Sequence, residues 1–298
     1  MVVEELRIDD RPELRDPILI AAFSGWNDAG EAATSAARFM FRRWKPPVFA
    51  EIEAETFYDF TQARPTVKLE QGGRVLEWPP NKFSAYRLDD LDFDVILLQA
   101  TEPHLRWHSY MEAILTICRE FNVGRLITLG ALLGEVSHTR PINVSGSSTD
   151  PDLNAAFEFA PRTGRGYEGP TGIVGSLNQA AQDAGLKTAS LWANVPMYLD
   201  ASPNPKGSLA LLERLNAGLK LDLSLHDLEV FCARFDAQVA AAVERDPQMA
   251  DLARRIEEQL PPEEVVETPE APAESDLPDA DSMVDDLEKF LREQRDDD

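Results

Sequence analysis

The chain has little of the side-chain chemistry that metal and redox sites use. Its 298 residues include only two cysteines and four histidines. Cys118 and Cys232 each lie in an apolar stretch without a CxxC partner, so we expect two buried thiols and no redox pair. No two histidines have ligand spacing on one predicted helix. The sequence therefore predicts no metal site and no cofactor.

Long apolar runs and an excess of basic residues are also missing. No run approaches the 18 apolar residues of a membrane span, and no basic-then-apolar leader is present. The net charge of −24 argues against a surface for nucleic acid or for anionic membranes. We therefore expect a cytoplasmic protein that binds neither nucleic acid nor membrane.

What the chain does have is an alternation of apolar runs and helical patterns. Residues 17–23, "PILIAAF", form a continuous apolar run, which is typical of a strand covered on both faces. The turn "SGWNDAG" follows, and residues 31–44 have the pattern of a helix. A strand, a short turn and a helix make the first half of a crossover unit.

The same rhythm continues to about residue 260, interrupted once. Residues 47–90 alternate apolar and polar side chains around Gly72-Gly73, which predicts an antiparallel insertion with a hairpin. Strands are then predicted at 93–103, 123–134 and 187–196, helices at 107–121 and 176–185, and a helical part at 205–260. We interpret residues 1–260 as one α/β domain, a three-layer α/β/α sandwich with a mixed, mostly parallel sheet.

Residues 261–298 differ in composition from the rest. They contain 15 acidic and three basic residues, and five prolines fall in the first 21 positions. Such a segment buries too little apolar surface to offset its chain entropy, so we expect a flexible tail. Near its end, residues 283–294 place apolar side chains on one helical stripe, namely Met283, Val284, Leu287, Phe290 and Leu291. This predicts either a docking helix or a solvated tail, and both alternatives stay open.

Candidate site residues lie where the predicted strands end, because parallel sheets bind ligands beyond their carboxyl ends. The first such turn supplies Ser24, Gly25, Trp26, Asn27 and Asp28. Its polar side chains can cap the next helix, or its free N–H groups can hold an anion. An aspartate would repel a phosphate, and the spacing is not that of a P-loop or of GxGxxG, so we favour capping.

Three residues are candidates for acid–base chemistry: Glu102, His138 and Glu168. His138 stands near Arg140, which would clamp an anion or line an interface rim. Nothing in the sequence brings the two glutamates together, and a hydrogen-bonding role in its loop is the favoured alternative for His138. No serine lies in a G-x-S-x-G motif, so no nucleophilic triad is indicated.

Four segments in order resemble a known family, the one named for the second proteasome assembly chaperone, and its bacterial branch most of all. They are "AAFSGWNDAGEAA", "ITLGALLGEVSHTRPINVSGSS", "YEGPTGIVGSLN" and "WANVPMYLDASPNPKGSLALLERL". The resemblance implies a fold similar to the phosphorylase/hydrolase-like sandwiches, with added strands and C-terminal helices. It also implies self-association into a trimer or larger assembly, and proteasome core subunits as partners.

The resemblance favours a non-enzymatic role through protein–protein interaction. The alternative is a small-molecule enzyme, a hydrolase, phosphorylase or ATP-dependent ligase, working in a cleft at the strand ends. One feature departs from the family pattern: some relatives end in a hydrophobic residue, a tyrosine and one more residue, whereas this chain ends "REQRDDD". Any docking on a proteasome must therefore use the body or residues 283–294.

Overall fold

The computed structural model describes residues 4–70, 73–159, 168–199 and 202–260. Ten strands are present in this part of the chain: β1 (Leu6–Ile8), β2 (Ile18–Ser24), β3 (Val48–Ile52), β4 (Thr66–Glu70), β5 (Gly73–Glu77), β6 (Asn81–Tyr86), β7 (Val95–Thr101), β8 (Arg125–Gly134), β9 (Val144–Ser148) and β10 (Lys187–Pro196). The helices of the same part are α1 (Ala32–Trp44), α2 (Trp107–Glu120), α3 (Pro151–Ala156), α4 (Ile173–Asp183), α5 (Pro205–Leu219), α6 (His226–Arg245) and α7 (Pro247–Gln259).

Eight of the strands form one mixed sheet in the order β1-β3-β6-β7-β2-β8-β10-β9. The central strands β7, β2, β8 and β10 are parallel, and β2 pairs through Ile18 with both Val95 and Arg125. Strands β6 and β9 pair antiparallel with the outer members of this group. The predicted mixed, mostly parallel sheet is confirmed.

Helices cover both faces of the sheet, and each face has its own apolar core. Along β2, Ile18, Ile20 and Ala22 lie in the core beneath α1 and α5, whereas Leu19, Ala21 and Phe23 lie in the core beneath α2 and α4. Successive side chains of a strand point to opposite faces. This is why an uninterrupted apolar run was needed at this position.

The two cysteines lie one in each core, as expected from their apolar surroundings. Cys118 contributes to the α2 side and Cys232 to the α5 side. Burial raises the pKa of both thiols to about 12. Neither thiol is therefore ionised, or reactive as a nucleophile, near neutral pH.

The predicted insertion is confirmed in part. Strands β4 and β5 form a separate two-stranded sheet, with Val67 opposite Leu76 and Glu70 opposite Gly73. Strands β3 and β6, however, join the main sheet and extend it on the β7 side. The insertion thus widens the sheet rather than interrupting it.

Three short elements were not predicted: β1, β9 and α3. Strand β9 has the sequence "VSGSS" and lies in what we expected to be a polar loop after β8. A segment this small and polar gives no periodic signal, and it is a strand because β10 offers an unpaired edge.

None of the described helices combines the length and hydropathy that crossing a membrane requires. Residues 261–298, with the helix expected near 283–294, lie outside the described residues, so the domain boundary at 260 stays a prediction.

Candidate functional site

The carboxyl ends of the parallel strands carry most of the residues predicted for a site. The turn after β2 reverses at Gly25, whose φ of +124° is a conformation that side chains with a Cβ rarely adopt. The backbone N–H of Ala131 in β8 donates to the carbonyl of Asn27 at 2.8 Å. The Ser24 hydroxyl donates to Thr101 Oγ1 of β7 at 3.2 Å. The turn is thus hydrogen-bonded to β7 and β8, the two strands that flank β2.

Glu102 connects this turn to a helix that lies 70 residues further along the chain. Its Oε1 accepts from Asn27 Nδ2 and from the backbone N–H of Ile173, both at 2.8 Å. Its Oε2 accepts from the backbone N–H of Trp26 at 3.2 Å. Gly172 permits this approach, because a Cβ there would lie 2.4 Å from the Asn27 amide.

The Glu102 carboxylate occupies the position where an anion would bind. Ile173 is the first residue of α4, and free N–H groups at a helix N-terminus together with turn N–H groups attract negative charge. Here the chain supplies that negative charge itself. A bound phosphate would have to displace Glu102 and break three hydrogen bonds.

Asp28 turns inward and caps α1. Its Oδ1 accepts from the Ala33 N–H at 2.6 Å, and its Oδ2 accepts from the Thr34 N–H at 3.2 Å and from the Thr34 hydroxyl. The predicted capping role of this turn is confirmed. Burial raises the pKa of Asp28 to about 6, although the bonds from Thr34 and Ala33 favour the ionised form.

His138 lies in a separate group, in the loop after β8. Its backbone N–H donates to the Tyr198 hydroxyl at 2.7 Å, and its Nδ1 lies 2.6 Å from the same oxygen. Burial and the nearby Lys206 ammonium lower the pKa of His138, which favours the neutral ring. Lys206 also donates to the His138 carbonyl at 2.7 Å. These contacts are those of a hydrogen-bonding loop residue, the alternative favoured by the sequence.

Arg140 joins the same loop to the last helix. Its Nε and Nη2 lie 2.6 and 2.5 Å from Glu257 Oε1 in α7. Thr139 adds a weaker bond to Glu257 Oε2 at 3.3 Å. Lys206 in α5 in turn pairs with Asp236 in α6 at 2.9 Å. The loop is therefore bonded to α5 through Lys206 and to α7 through Arg140 and Thr139, and Asp236 of α6 pairs with the same Lys206.

We expect the Arg140→Ala variant to open α7 more readily. The pair with Glu257 is partly exposed, so its loss should reduce the local opening free energy by at most about 1 kcal/mol. Hydrogen exchange of the α7 amides, read by mass spectrometry, should accelerate severalfold. Arg254→Ala is the control, because the ion pairs of Arg254 among the described residues are with Asp251 and Glu258 of α7 itself. Equal acceleration in both variants would contradict an anchoring role.

The predicted site residues thus separate into groups. Ser24, Gly25, Trp26, Asn27 and Glu102 come together, whereas Asp28 is buried beneath them. His138 and Arg140 belong to the helix-anchoring group. Glu168 is exposed and makes no hydrogen bond or ion pair within the described residues. In that same part of the chain, no group of three His, Cys, Asp or Glu side chains could hold a metal ion.

Most partners of these residues were not predictable from the sequence. Gly172, Ile173 and Glu257 were not predicted, since backbone donors and single side chains carry no motif. One signal was available, the glycine in "GPTG" before α4. A close approach of two chain segments is one of the reasons for a glycine at such a position.

An exposed apolar surface accompanies the polar turn at this edge. Strands β8 and β10 extend past the end of β2, since β2 pairs with β8 only as far as Ala22 and Leu129. The apolar side chains that follow are open to solvent, and we call them the apolar rim: Trp26 (67% exposed), Leu132 (45%), Leu133 (62%) and Met197 (50%). Beside them lies a groove of about 410 Å³, which we call the rim groove; it is lined among others by Gly30, Leu133, Val195, Met197, Tyr198 and Leu199.

Comparison with known proteins identifies the relatives of the chain. Residues 22–243 match the model of the PAC2 family. A PAC2 family protein from Streptomyces avermitilis is 41% identical, with a TM-score of 0.73 over 80% of this chain and 99% of that one. A proteasome-assembly chaperone homologue from Mycobacterium tuberculosis is 35% identical, with a TM-score of 0.70 over 79% of this chain and 99% of that one.

A more distant structure shares the fold. It is PbaB from Pyrococcus furiosus, an archaeal proteasome activator, which is 19% identical with a TM-score of 0.65 over 80% of this chain and 97% of that one. No curated protein matches the chain.

Proposed function

Because the chain belongs to the PAC2 family, we propose that it is a non-catalytic interaction protein that binds a proteasome subunit through the apolar rim. The name of one relative, the Mycobacterium tuberculosis protein, supports this choice of partner. The Mycobacterium tuberculosis protein is a proteasome-assembly chaperone homologue, and the Pyrococcus furiosus protein is a proteasome activator. The second of these contributes the fold alone, at 19% identity.

The observation that carries the proposal is the apolar rim itself. Trp26, Leu132, Leu133 and Met197 are each at least 45% exposed at one edge of the sheet. Leu132 and Leu133 are successive residues of β8, so they present apolar surface on both faces of this edge. Exposed apolar surface marks interaction sites, and tryptophan and methionine are enriched at protein interfaces. Leu133 and Met197 also flank the rim groove, which offers a concave place for one partner side chain.

The polar part of the same edge supports binding of a protein rather than chemistry on a small molecule. The carboxylate of Glu102 is bonded at both oxygens, and the turn donors of Trp26 and Asn27 are used by it. His138 lies in a different group, fastened to Tyr198 and Lys206. A turn held in this way fixes the backbone from which the exposed Trp26 ring projects, which lowers the entropy cost of binding.

The charge of the chain also defines its partner. A net charge of −24 steers association toward a basic or neutral surface and slows encounters with other acidic proteins. We therefore propose a partner face with an apolar centre and lysine or arginine at its border. Raising the salt concentration should lower the association rate more than it raises the dissociation rate.

The Leu133→Asp variant tests the proposal. A charge in the centre of the contact should weaken binding to purified proteasome α-type subunits at least tenfold, the size of a modest hot spot. Biolayer interferometry measures the affinity, and circular dichroism checks the fold, which should be unchanged because Leu133 is exposed. Leu69→Asp is the matched control, since Leu69 is 80% exposed on the separate hairpin.

Two results would count against the proposal. Equal binding by Leu133→Asp and Leu69→Asp would show that the contact lies outside the apolar rim. If the unchanged chain binds no α-type subunit, the proposed partner is wrong. Self-association into a trimer or larger assembly, which the family resemblance implies, stays a prediction. Light scattering on the same variants measures it independently.

A further inference from the structure

The hairpin of β4 and β5 exposes an apolar face and covers a charged one. Val67 lies opposite Leu76, and Leu69, two residues after Val67, lies on the same face. These three side chains, which we call the hairpin face, are exposed by 44% (Val67), 53% (Leu76) and 80% (Leu69). On the opposite face, the Lys68 side chain is only 12% exposed, and its Nζ lies 3.0 Å from Glu77 Oε2. Antiparallel sheets usually turn apolar side chains inward and polar ones outward, so this hairpin has the reverse arrangement.

The hairpin is attached to the body only at its base. Within the described part of the chain, β4 and β5 pair only with each other, and a two-stranded hairpin is marginally stable in water. The backbone N–H of Thr101 in β7 donates to the Pro80 carbonyl at 3.1 Å, and the ring centroids of Phe60 and Trp78 lie 4.6 Å apart. The base is thus held against the main sheet, while the hairpin face stays open to solvent. Exposed apolar surface of this kind marks an interaction site.

The charge of the hairpin favours a second copy of this chain as the partner. Two copies repel each other over most of their surface, because each has a net charge of −24. Residues 66–78 are neutral, with two basic residues, Lys68 and Arg74, and two acidic residues, Glu70 and Glu77. A basic partner would be drawn to the acidic remainder of the chain instead. The hairpin is therefore a surface on which two acidic copies meet with little electrostatic cost.

The arrangement of the hairpin face is compatible with a two-fold axis. Val67 and Leu76 lie side by side on neighbouring strands, with Leu69 toward the tip of the hairpin. An axis through the Val67–Leu76 pair stacks two hairpins antiparallel, with the tip of one copy over the base of the other. Such a contact uses the same residues on both copies, and stacked sheets pack about 10 Å apart.

We propose that two copies of the chain pair by stacking their hairpin faces across a two-fold axis. The stacking removes six exposed apolar side chains from water, three from each copy, and gives each hairpin the second layer that it lacks. Assemblies built through this contact contain an even number of chains. The proposal does not rest on the proposed function, because the apolar rim belongs to other elements of the fold.

Val67→Asp tests the contact, and Val75→Asp is its matched control. Both valines are 44% exposed in the same hairpin, but Val75 lies opposite Lys68 on the charged face. Val67→Asp places a carboxylate in the centre of the contact, so the dissociation constant of the pair should rise roughly tenfold or more. Val75→Asp should change it by no more than about twofold, as for a substitution outside the contact. Sedimentation equilibrium of the full chain measures the constant, and circular dichroism checks that each variant folds.

Single cysteines at the same two positions locate the contact directly. Val67→Cys lies near the axis, so two copies should form a disulfide-linked pair under mild oxidation roughly tenfold faster than Val75→Cys does. The native thiols should not interfere, because burial raises the pKa of Cys118 and Cys232 to about 12.

Salt dependence and partner binding separate this pairing from the proposed function. Salt screens the repulsion between two acidic chains, so it should tighten the pair, whereas it should slow association with a basic partner face. Leu133→Asp should leave the pair intact. Leu69→Asp should separate the pair without changing the affinity of a single immobilised chain for the proteasome subunit. Loss of subunit binding with intact pairing would count against the proposed function alone.

Four results would overturn the pairing. They are an unchanged chain that stays monomeric at every concentration tested, equal effects of the Val67 and Val75 substitutions, a pair that salt weakens, and a trimer whose mass Val67→Asp leaves unchanged.

Discussion

The Glu102→Ala variant is expected to unfold with about 3 kcal/mol less free energy than the unchanged chain. The carboxylate accepts hydrogen bonds from Trp26, Asn27 and the first N–H of α4 at Ile173. Hydrogen bonds to a charged group contribute about 1.5–3 kcal/mol, and donors left without an acceptor add a further cost where they are buried. Asn27 is buried, whereas the N–H of Trp26 regains water, so the total lies well below the sum of three such bonds.

Urea denaturation followed by circular dichroism measures this change. The free energy of unfolding of Glu102→Gln should lie between those of Glu102→Ala and the unchanged chain. The glutamine oxygen still accepts from Asn27 and Ile173, whereas its NH₂ group faces the Trp26 N–H. Glu168→Ala is the matched control and should stay within about 0.5 kcal/mol, as for an exposed substitution away from special contacts. An unchanged free energy of unfolding in Glu102→Ala would show that Glu102 does not hold the turn to α4, and that the Trp26 backbone is not fixed by this carboxylate.

The Asp28→Asn variant should change how stability depends on pH. The folded pKa of Asp28 is raised from 3.8 to about 6 by burial, so the folded chain holds a proton that the unfolded chain releases. The contribution of protonated Asp28 to the free energy of unfolding is fully present below pH 4 and is lost as the pH rises through 6. Asparagine does not titrate, so the free energy of unfolding of Asp28→Asn relative to the unchanged chain should rise by about 2.4 kcal/mol between pH 4 and pH 7.

The sign of this difference in the free energy of unfolding at a single pH is less informative than its slope with pH, because asparagine also alters the bonds to Thr34. Denaturation curves at several pH values give the slope directly. Asp150→Asn is a control of opposite sign: the ion pair with Lys187 and the bonds from Leu153 and Asp152 hold the pKa of Asp150 below its usual value. That variant should become less stable, relative to the unchanged chain, as the pH rises toward 5. Parallel curves for Asp28→Asn and the unchanged chain would show that Asp28 is not the buried cap described above.

Much of the fold was predictable because local burial leaves a pattern in the sequence. The run at 17–23 became β2 at Ile18–Ser24, and the run at 187–196 became β10 with the same bounds. The hairpin around Gly72-Gly73 was also confirmed as β4 and β5. Strand β9 was missed because "VSGSS" is a strand only through the neighbouring edge of β10. Strand β9 lacks an apolar pattern, because Val144 is its only buried residue and the other four are glycine or serine.

The candidate site was predictable only as a set of chain segments. The turn after β2 and the polar end of β7 were expected at one edge, and Glu102 does meet Asn27 there. That Glu102 also holds Ile173, and that His138 belongs with Tyr198 and Lys206 instead, could not be read from spacing. Such pairings depend on strand order, and β2 lies between β7 and β8 although β8 follows β7 in the chain.

The sequence by itself determined the layered α/β architecture, the buried cysteines and a polar cap for α1 from the turn after β2, because each depends on neighbours within a few residues or on the average composition around them. The tertiary structure alone decided which loop ends touch, that a glutamate occupies the anion position at α4, and that Trp26, Leu132, Leu133 and Met197 share one open edge. Contacts between residues 70 or more positions apart are selected by the packing of whole elements, since no short-range preference distinguishes one partner from another.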